Sequence, residues 1–388
     1  MRQTSTASDN TPQTTQTTQT TQTPRTPRAP RAAQPATAIR ASSPPDLLAV
    51  VPHLLGFVPD LSLVVIGSAP PRDRIRVTLR YDLPDPPDAD LAADIAAHAA
   101  GVLGAQRLPA ALAVGYGPEA LVAPVAGAFL DAARLAGITL HDVLRVENGR
   151  YWSYRCGNEA CCPADGVPFD GSAHPVSAVM DAAGMRVLPG RAAVAGRIAP
   201  LDGAAAASMR GATRRAEQHA AALLGKVRKS GRTGAARQLI AAEGLNAVGS
   251  MIAAYRAGDR SASDYEIAWL TVALRDLRVR DDAWARMDPA HAEAHLRLWL
   301  DVTRRAQPGR VSAPAALLAF VAWQSGDGAL ANVALDRSLA DDPRYSMALL
   351  LRQVIAAGAP PSLARLPMTP EEVAASYAGL GDGDDDEL

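Results

Sequence analysis

The order of apolar and polar residues changes character along this chain near residue 202. Upstream of that point, short apolar runs of β-strand length alternate with patterns of helical period. Residues 61–67 form a continuous apolar run typical of a buried strand, and residues 74–81 alternate polar and apolar side chains as a half-exposed strand does. Because only a short loop joins these two segments, we expect them to pair as antiparallel neighbours.

The segment that follows alternates helical and strand patterns. It predicts a helix over 89–103 that begins at Asp88, a strand over 110–114, a helix over 118–135 and a strand over about 140–147. Strands that alternate with helices in this way are typically parallel and joined by right-handed crossovers.

Turn and cap signals complete this first part. Ser43-Pro44-Pro45-Asp46 has the form of a capping box with proline at the first helical position, and it predicts a helix start. Asn148-Gly149 tolerates the positive φ angles of a type I′ turn, so residues 150–154 should return antiparallel to the preceding strand. We therefore predict an α/β domain over residues 41–200 with a mixed sheet of about five strands.

Beyond residue 202 the apolar spacing is that of helices alone. The predicted helices span residues 204–228, 235–257, 265–277, 289–305, 314–324, 329–339 and 345–357. The last three resemble a tetratricopeptide unit, with Gly326-Asp327 at the turn and Asp342-Pro343 after the second helix. We therefore predict an all-α domain over residues 201–370 that contains one tetratricopeptide-like hairpin.

Both ends of the chain have compositions that disfavour a packed core. Residues 1–40 are rich in Thr, Gln, Pro and Arg and predict a disordered arm, while residues 371–388 predict a solvated acidic tail. In the whole chain 39 Lys and Arg nearly balance 40 Asp and Glu, so no overall field favours nucleic acid or a membrane surface. Three cysteines and no long apolar segment lead us to expect a cytoplasmic protein with no membrane partner.

Candidate chemistry is concentrated in residues 149–170, which hold all three cysteines and three of the 13 Trp and Tyr residues. Cys156, Cys161 and Cys162, with His174 further on, could supply three thiolates and one imidazole to zinc. Two other interpretations stay open: a reactive thiol, and packing of a loop against the sheet. Zinc is thus a candidate cofactor, and the cofactor is otherwise unknown.

A second candidate site follows from the predicted topology, because ligands of open α/β sheets collect beyond the carboxyl ends of parallel strands. The aromatic segment after the Asn148-Gly149 turn should lie along one edge of this region. The candidate ligand-binding residues are Tyr81, Asp82, Gly115, Tyr116, Gly117, Arg150 and Trp152. We expect them to share one cavity with the cysteines.

Two further patterns favour structural interpretations. Gly115-Tyr-Gly-Pro-Glu-Ala120 fits a dinucleotide-binding pattern, but Pro118 removes an amide and Glu119 places negative charge where a pyrophosphate would bind. The segment from Arg210 to Arg237 is strongly basic, yet it lacks the interleaved aromatic residues that stack on bases. We therefore favour a solvated structural helix over a nucleic-acid partner.

Several motifs have a distinctive combination of residues. They are Leu54-Leu55-Gly56-Phe57 with Pro59, Ser62-Leu63-Val64-Val65, Val114-Gly115-Tyr116-Gly117, Gly149-Arg-Tyr-Trp-Ser-Tyr with Cys156, Cys161-Cys162-Pro163 and Gly166, and Trp323–Ala331 with Asp342-Pro343. These motifs resemble an actinobacterial family known as domain of unknown function 4192, over residues 43–350. The resemblance implies no activity, cofactor or partner.

Three functional hypotheses follow. The first is a noncatalytic protein that binds or regulates through an unknown small molecule or protein partner at the strand ends. The second is a thiol- or metal-dependent hydrolase or transferase that uses Cys156, Cys161 or Cys162. In this hypothesis His174 or His53 would be the base or a ligand, and Asp82 would orient it. The third is a nucleic-acid-associated protein that uses the segment from Arg210 to Arg237.

Overall fold

The computed structural model describes residues 43–71, 73–228, 233–258, 262–361 and 368–378. The predicted disordered arm lies outside these ranges, as does most of the predicted acidic tail. The first part of that tail, where structure is described, belongs to a helix over Pro370–Ala378.

The first helix, α1 (Pro44–Leu55), begins as its sequence predicts. The Ser43 side chain accepts a hydrogen bond from the Asp46 amide, and the Asp46 carboxylate accepts one from the Ser43 amide. This reciprocal capping box satisfies two amides that a helix start would otherwise leave unpaired. The helix ends at Gly56, whose φ of 76° is readily adopted by glycine.

A mixed six-stranded sheet forms the core of the N-terminal α/β region. Its strands are β1 (Ser62–Ala69), β2 (Arg74–Asp82), β3 (Ala110–Tyr116), β4 (Thr139–Glu147), β5 (Arg150–Ser153) and β6 (Val167–Pro168). They lie in the order β2-β1-β3-β4-β5-β6. The antiparallel β1–β2 and β4–β5 pairs and the parallel β3–β4 pair confirm the sequence predictions.

Two helices, α2 (Ala89–Ala105) and α3 (Glu119–Leu135), cover one face of this sheet, and α1 covers the other. Asp88 caps α2 as predicted, by accepting hydrogen bonds from the amides of Asp90 and Leu91. Gly115 lets α3 approach β3 closely, because a Cβ at this position would lie 2.2 Å from a methyl group of Val122. The glycine of the predicted dinucleotide pattern therefore has a packing role.

The rest of the described chain is mostly helical. Its helices are α4 (Pro175–Ala182), α5 (Arg191–Gly196), α6 (Gly203–Arg228), α7 (Thr233–Ala257), α8 (Asp264–Ala273), α9 (Leu277–Ala285), α10 (Ala292–Arg305), α11 (Ser312–Gln324), α12 (Gly328–Asp341), α13 (Ser346–Ala356) and α14 (Pro370–Ala378). A 3₁₀ turn, Pro289–His291, precedes α10. The helix predicted over 265–277 is shorter than expected, because Asp276 caps a separate helix, α9.

The centre of the helical region is α11, which is buried from Ser312 to Trp323. It packs along α12, whose Asp341 carboxylate accepts hydrogen bonds from the amides of Val311 and Ser312 at the start of α11. The α11–α12 pair occupies the position of the predicted tetratricopeptide-like hairpin. That finer assignment stays a prediction.

Candidate functional site

A cavity of about 700 Å³ opens at the carboxyl ends of β3 and β4, on the face of the sheet that α1 covers. Residues from α1, α4 and the ends of β3 and β4 line it. The lining residues include His53, Asp60, Tyr116, Glu147, Phe169 and Asp181. The position agrees with the general rule that ligands collect at the carboxyl ends of parallel strands.

The strand register explains why Tyr116 reaches this cavity. Tyr116 is the last residue of β3 and alternates with Leu112 and Val114, which pack in the same cluster beneath α1. Its neighbours across the sheet are Ser62 of β1 and Val146 of β4. Gly117 follows with a φ of 136°, a conformation that glycine tolerates, and its amide donates to the carbonyl of Val146.

The Tyr116 hydroxyl is buried and has no hydrogen-bond partner among the described residues. Burial raises the pKa of this phenol well above its usual value, so the hydroxyl keeps its proton. A buried hydroxyl without a partner costs free energy on the order of 1–3 kcal/mol. Tyr116 lines the cavity, and a small shift of its side chain would bring the unpaired hydroxyl to a bound molecule or a water.

His53 and Asp181 form a polar pair in the same cavity. The Nδ1–H of His53 donates to the Ala49 carbonyl at 3.1 Å, and its Nε2 lies 3.2 Å from a carboxylate oxygen of Asp181. Both ring nitrogens therefore already have a partner within the protein. This arrangement weakens the hypothesis of an enzyme with His53 as its base.

The charge around the cavity is negative. Asp60, Glu147 and Asp181 line it, while no lysine or arginine does in the part of the chain that the structure describes. Such a lining favours neutral or positively charged ligands over phosphates. The sequence-based argument against a pyrophosphate site also holds. Glu119 places its negative charge in the first turn of α3, and Pro118, which has no amide N–H, is the N-cap of this helix.

Two of the candidate ligand residues, Arg150 and Trp152, have structural contacts away from the cavity lining. The Trp152 indole N–H donates to the carbonyl of Ala164 at 3.0 Å, and the guanidinium of Arg145 stacks on its ring at 3.7 Å. Arg150 donates to the carbonyls of Asp165 and Gly166. These contacts tie the two ends of the loop between β5 and β6 to each other.

Tyr81 and Asp82, two further candidates at strand ends, also lie outside the cavity lining. Tyr81 bonds to His98 at 2.8 Å on the opposite face of the sheet, while Asp82 is exposed and pairs with Arg80. Ser62 separates Asp82 from Tyr116 in the strand register. Of the predicted ligand-binding residues, the structure brings only Tyr116 and Gly117 to the cavity.

The three cysteines converge in the loop between β5 and β6, at the far edge of the sheet. The Sγ atoms of Cys156 and Cys161 are 3.0 Å apart, and those of Cys161 and Cys162 are 3.8 Å apart. All three sulfurs lie within 4.8 Å of one another. Hydrogen bonds from the other two thiols, chiefly from Cys161, lower the pKa of Cys156. The hydrogen bond with Cys156, followed by burial and the contact with Cys161, raises the pKa of Cys162 to about 12.

The fourth predicted zinc ligand, His174, is not part of this sulfur group. Its Nδ1 accepts a hydrogen bond from the Val176 amide at the start of α4, and its Nε2 lies 3.6 Å from Asp46. The structure therefore joins the three cysteines and leaves the histidine with a capping role. None of the three cysteines lines the cavity.

Sequence reasoning named His53 only as a base or ligand for the thiol hypothesis, and it did not identify Asp181 or Phe169. His53 and Asp181 are 128 positions apart, and only the docking of α4 on α1 brings them together. Most of the predicted basic surface cannot be compared, because the side chains from Lys226 to Arg237 lie outside the described residues.

Comparison with known proteins identifies the family. The profile described as "Domain of unknown function (DUF4192)" matches residues 44–362, well over half of the chain, so the protein belongs to this family. No curated protein and no solved structure matches it. Among the described residues, none of the helices has the length and apolar content needed to cross a membrane.

Proposed function

We propose that this member of the DUF4192 family is a noncatalytic binding protein whose cavity takes a small molecule with an apolar body and a neutral or positively charged polar group. The observation that carries the proposal is the unpartnered Tyr116 hydroxyl beside a cavity of about 700 Å³. Cavities of this size are typical of small-molecule sites, which combine apolar walls with a few placed polar groups.

The polar groups around the cavity define the ligand class. Tyr116 offers a donor within the apolar part, formed in part by Leu48, Val146 and Phe169. Asp60 and Asp181 offer acceptors that would suit an ammonium or amide group. An amine or amide with an apolar body is the ligand that matches this arrangement.

The hydroxyl groups of the cavity support a noncatalytic role. Ser177 donates to the carbonyl of Gly171 at 2.6 Å, and Ser172 donates to Asp170 at 2.7 Å. Neither serine contacts an imidazole, which an activated hydroxyl nucleophile ordinarily requires. The described lining therefore lacks the nucleophile–base pair that the hydrolase hypothesis needs at this place.

The test is a binding screen on matched variants. We would screen small amines, amides, nucleosides and their phosphorylated counterparts by thermal unfolding of the full chain, and compare wild type with Tyr116→Phe and Asp181→Asn. Tyr116→Phe keeps the ring and removes the donor, and should weaken binding about two- to ten-fold. Asp181→Asn should weaken cationic ligands more than neutral ones.

Tyr151→Phe is the matched control, because Tyr151 packs in the same apolar cluster and does not line the cavity. It should leave affinity unchanged. A ligand that binds all three variants equally, or a screen in which only phosphorylated compounds bind, would contradict the proposal. The cytoplasmic location and the actinobacterial origin stay predictions from the sequence.

A further inference from the structure

The loop between β5 and β6 presents three thiols on a short segment of chain. Cys161 is exposed, Cys156 and Cys162 are half-buried, and the three sulfurs lie within 4.8 Å of one another. Thiols that only fill space in a core are buried, so packing does not account for this group. All three cysteines are free.

Local backbone structure brings the sulfurs together. The amides of Cys161 and Cys162 both donate to the carbonyl of Asn158, which curls residues 158–162 into a turn. The Cys156 amide donates to the hydroxyl of Ser153, the last residue of β5. Two adjacent cysteines that would point in opposite directions from an extended chain are thereby directed to the same side.

The loop is also fixed at its far end. The carbonyl of Ala164 accepts from Trp152, whose ring is packed between the Arg145 guanidinium and the backbone of Gly166. Arg150 bonds to Asp165 and Gly166. A loop anchored on both sides holds its sulfur atoms in position before anything binds to them, which reduces the entropic cost of binding.

The sulfur spacing matches tetrahedral thiolate coordination of a metal ion. With Zn–S bonds of about 2.3 Å, the edge of a tetrahedron of ligands is about 3.8 Å. The separation between Cys161 and Cys162 is 3.8 Å. The 3.0 Å separation between Cys156 and Cys161 must widen by about 0.8 Å to reach that edge, and the exposure of both sulfurs leaves room for a side-chain rotation.

We propose that Cys156, Cys161 and Cys162 bind one thiophilic metal ion through three thiolates and leave the fourth coordination position open to solvent. Zinc is the ion that the spacing fits, and copper(I) shares its preference for thiolates. Binding replaces three S–H bonds by three metal–sulfur bonds and releases the protons to solvent, with no change in oxidation state. His174 is not a ligand in this site.

The test measures metal stoichiometry on the full reduced chain without oxygen. Zinc and copper(I) would each be titrated against a chromophoric chelator, and cobalt(II) would report sulfur coordination through its charge-transfer absorption. Wild type should bind one ion per chain. Because even loss of a supporting contact typically weakens metal sites about 10–100-fold, Cys156→Ser, Cys161→Ser and Cys162→Ser should each weaken binding by at least about 100-fold.

Two matched controls define the ligand set. Glu159→Gln removes a carboxylate from the same loop without touching a thiol, and His174→Ala removes the more distant imidazole; both should bind like wild type. In the wild-type protein, one equivalent of metal should slow iodoacetamide labelling of all three cysteines. This labelling measurement needs no variant and therefore holds even where a serine variant fails to fold.

Several outcomes would overturn the proposal. The first is a reduced wild-type chain that binds no ion with sulfur coordination. Another is loss of binding in His174→Ala, since the site would then contain a fourth protein ligand. Binding that survives any one of the serine substitutions, or labelling that the metal leaves unchanged, would also exclude a three-thiolate site. None of these results bears on the cavity, because no cysteine lines it.

Discussion

His295 should make the stability of the helical region depend on pH. Its side chain is buried, with a residue exposure of 1%, and desolvation together with the nearby Arg256 lowers its pKa from 6.5 to about 4. The hydrogen bonds agree with a neutral ring, because Nε2 faces the Arg256 guanidinium at 3.3 Å and accepts from the Asp288 amide at 3.4 Å. Protonation would remove both acceptor contacts.

The direction of the pH dependence follows from the difference in proton binding between the folded and unfolded chains. Between pH 6.5 and about 4, the unfolded chain binds a proton at this histidine and the folded chain does not. The contribution of neutral His295 is therefore fully present above pH 6.5 and is lost as the pH falls toward 4. A shift of this size corresponds to about 3 kcal/mol, since one pKa unit is about 1.4 kcal/mol.

Other charges near His295 act on the same equilibrium in smaller amounts. Asp288 favours the protonated ring, whereas Arg256 and His291 disfavour it. Asp288 itself has a lowered pKa, through hydrogen bonds from the Ala290 amide and from His291, so its own contribution is lost only in more acidic solution. The difference in pH dependence between wild type and a variant without this titrating group therefore isolates the contribution of His295.

The assay is urea unfolding followed by tryptophan fluorescence, because Trp299 is fully buried on the same helix. His295→Gln keeps an acceptor and removes the titration, so its midpoint should fall less than that of wild type between pH 6.5 and 4. His141→Gln alters an exposed histidine and should keep the wild-type dependence. Parallel pH profiles for wild type and His295→Gln would show that the titration of His295 does not cause the pH dependence.

Further predictions concern packing and anchoring. Gly115→Ala should destabilise by about 2 kcal/mol in urea unfolding, because its Cβ would lie 2.2 Å from a methyl of α3. A Cβ at Gly104 would have no atom within 4 Å, so Gly104→Ala should stabilise the protein by up to about 1 kcal/mol. Equal changes in unfolding free energy for the two glycine variants would contradict this account. Arg145→Met should cost about 2 kcal/mol and change Trp152 fluorescence, whereas unchanged emission would contradict the stacking. Ser263→Ala should cost about 1 kcal/mol in thermal unfolding by removing a capping box, and an unchanged midpoint would contradict that role.

Local signals predicted much of the fold. The capping box at Ser43, the Asn148-Gly149 turn and the β1–β2 pair each depend on neighbouring residues, and the structure contains all three. β6 was not predicted because two residues are too few to show a period. The break between α8 and α9 was missed because the apolar pattern continues across it, and only the Asp276 cap separates the helices.

Topology alone indicated where Tyr116 and Gly117 would lie, whereas the docking of α4 on α1 decides the positions of His53 and Asp181. Tyr116 and Gly117 end a strand, and strand order places that end at a cavity. Arg150 and Trp152 were expected to contact a ligand, but each contacts the loop that follows it. No period or spacing in the sequence distinguishes an aromatic side chain that lines a pocket from one that holds a turn.

The cavity and the thiol group are adjacent parts of one structure, even though they have no lining residue in common. Tyr151 is close enough to the three thiols for their charge to raise its pKa further, after burial. Its ring packs edge-on against Phe169 at 6.3 Å, and Phe169 lines the cavity. Tyr151→Phe removes the titrating hydroxyl and keeps this ring contact. We expect Tyr151→Phe to leave ligand affinity intact and each cysteine variant to lose its metal. Together these two results would establish that the two sites depend on different atoms.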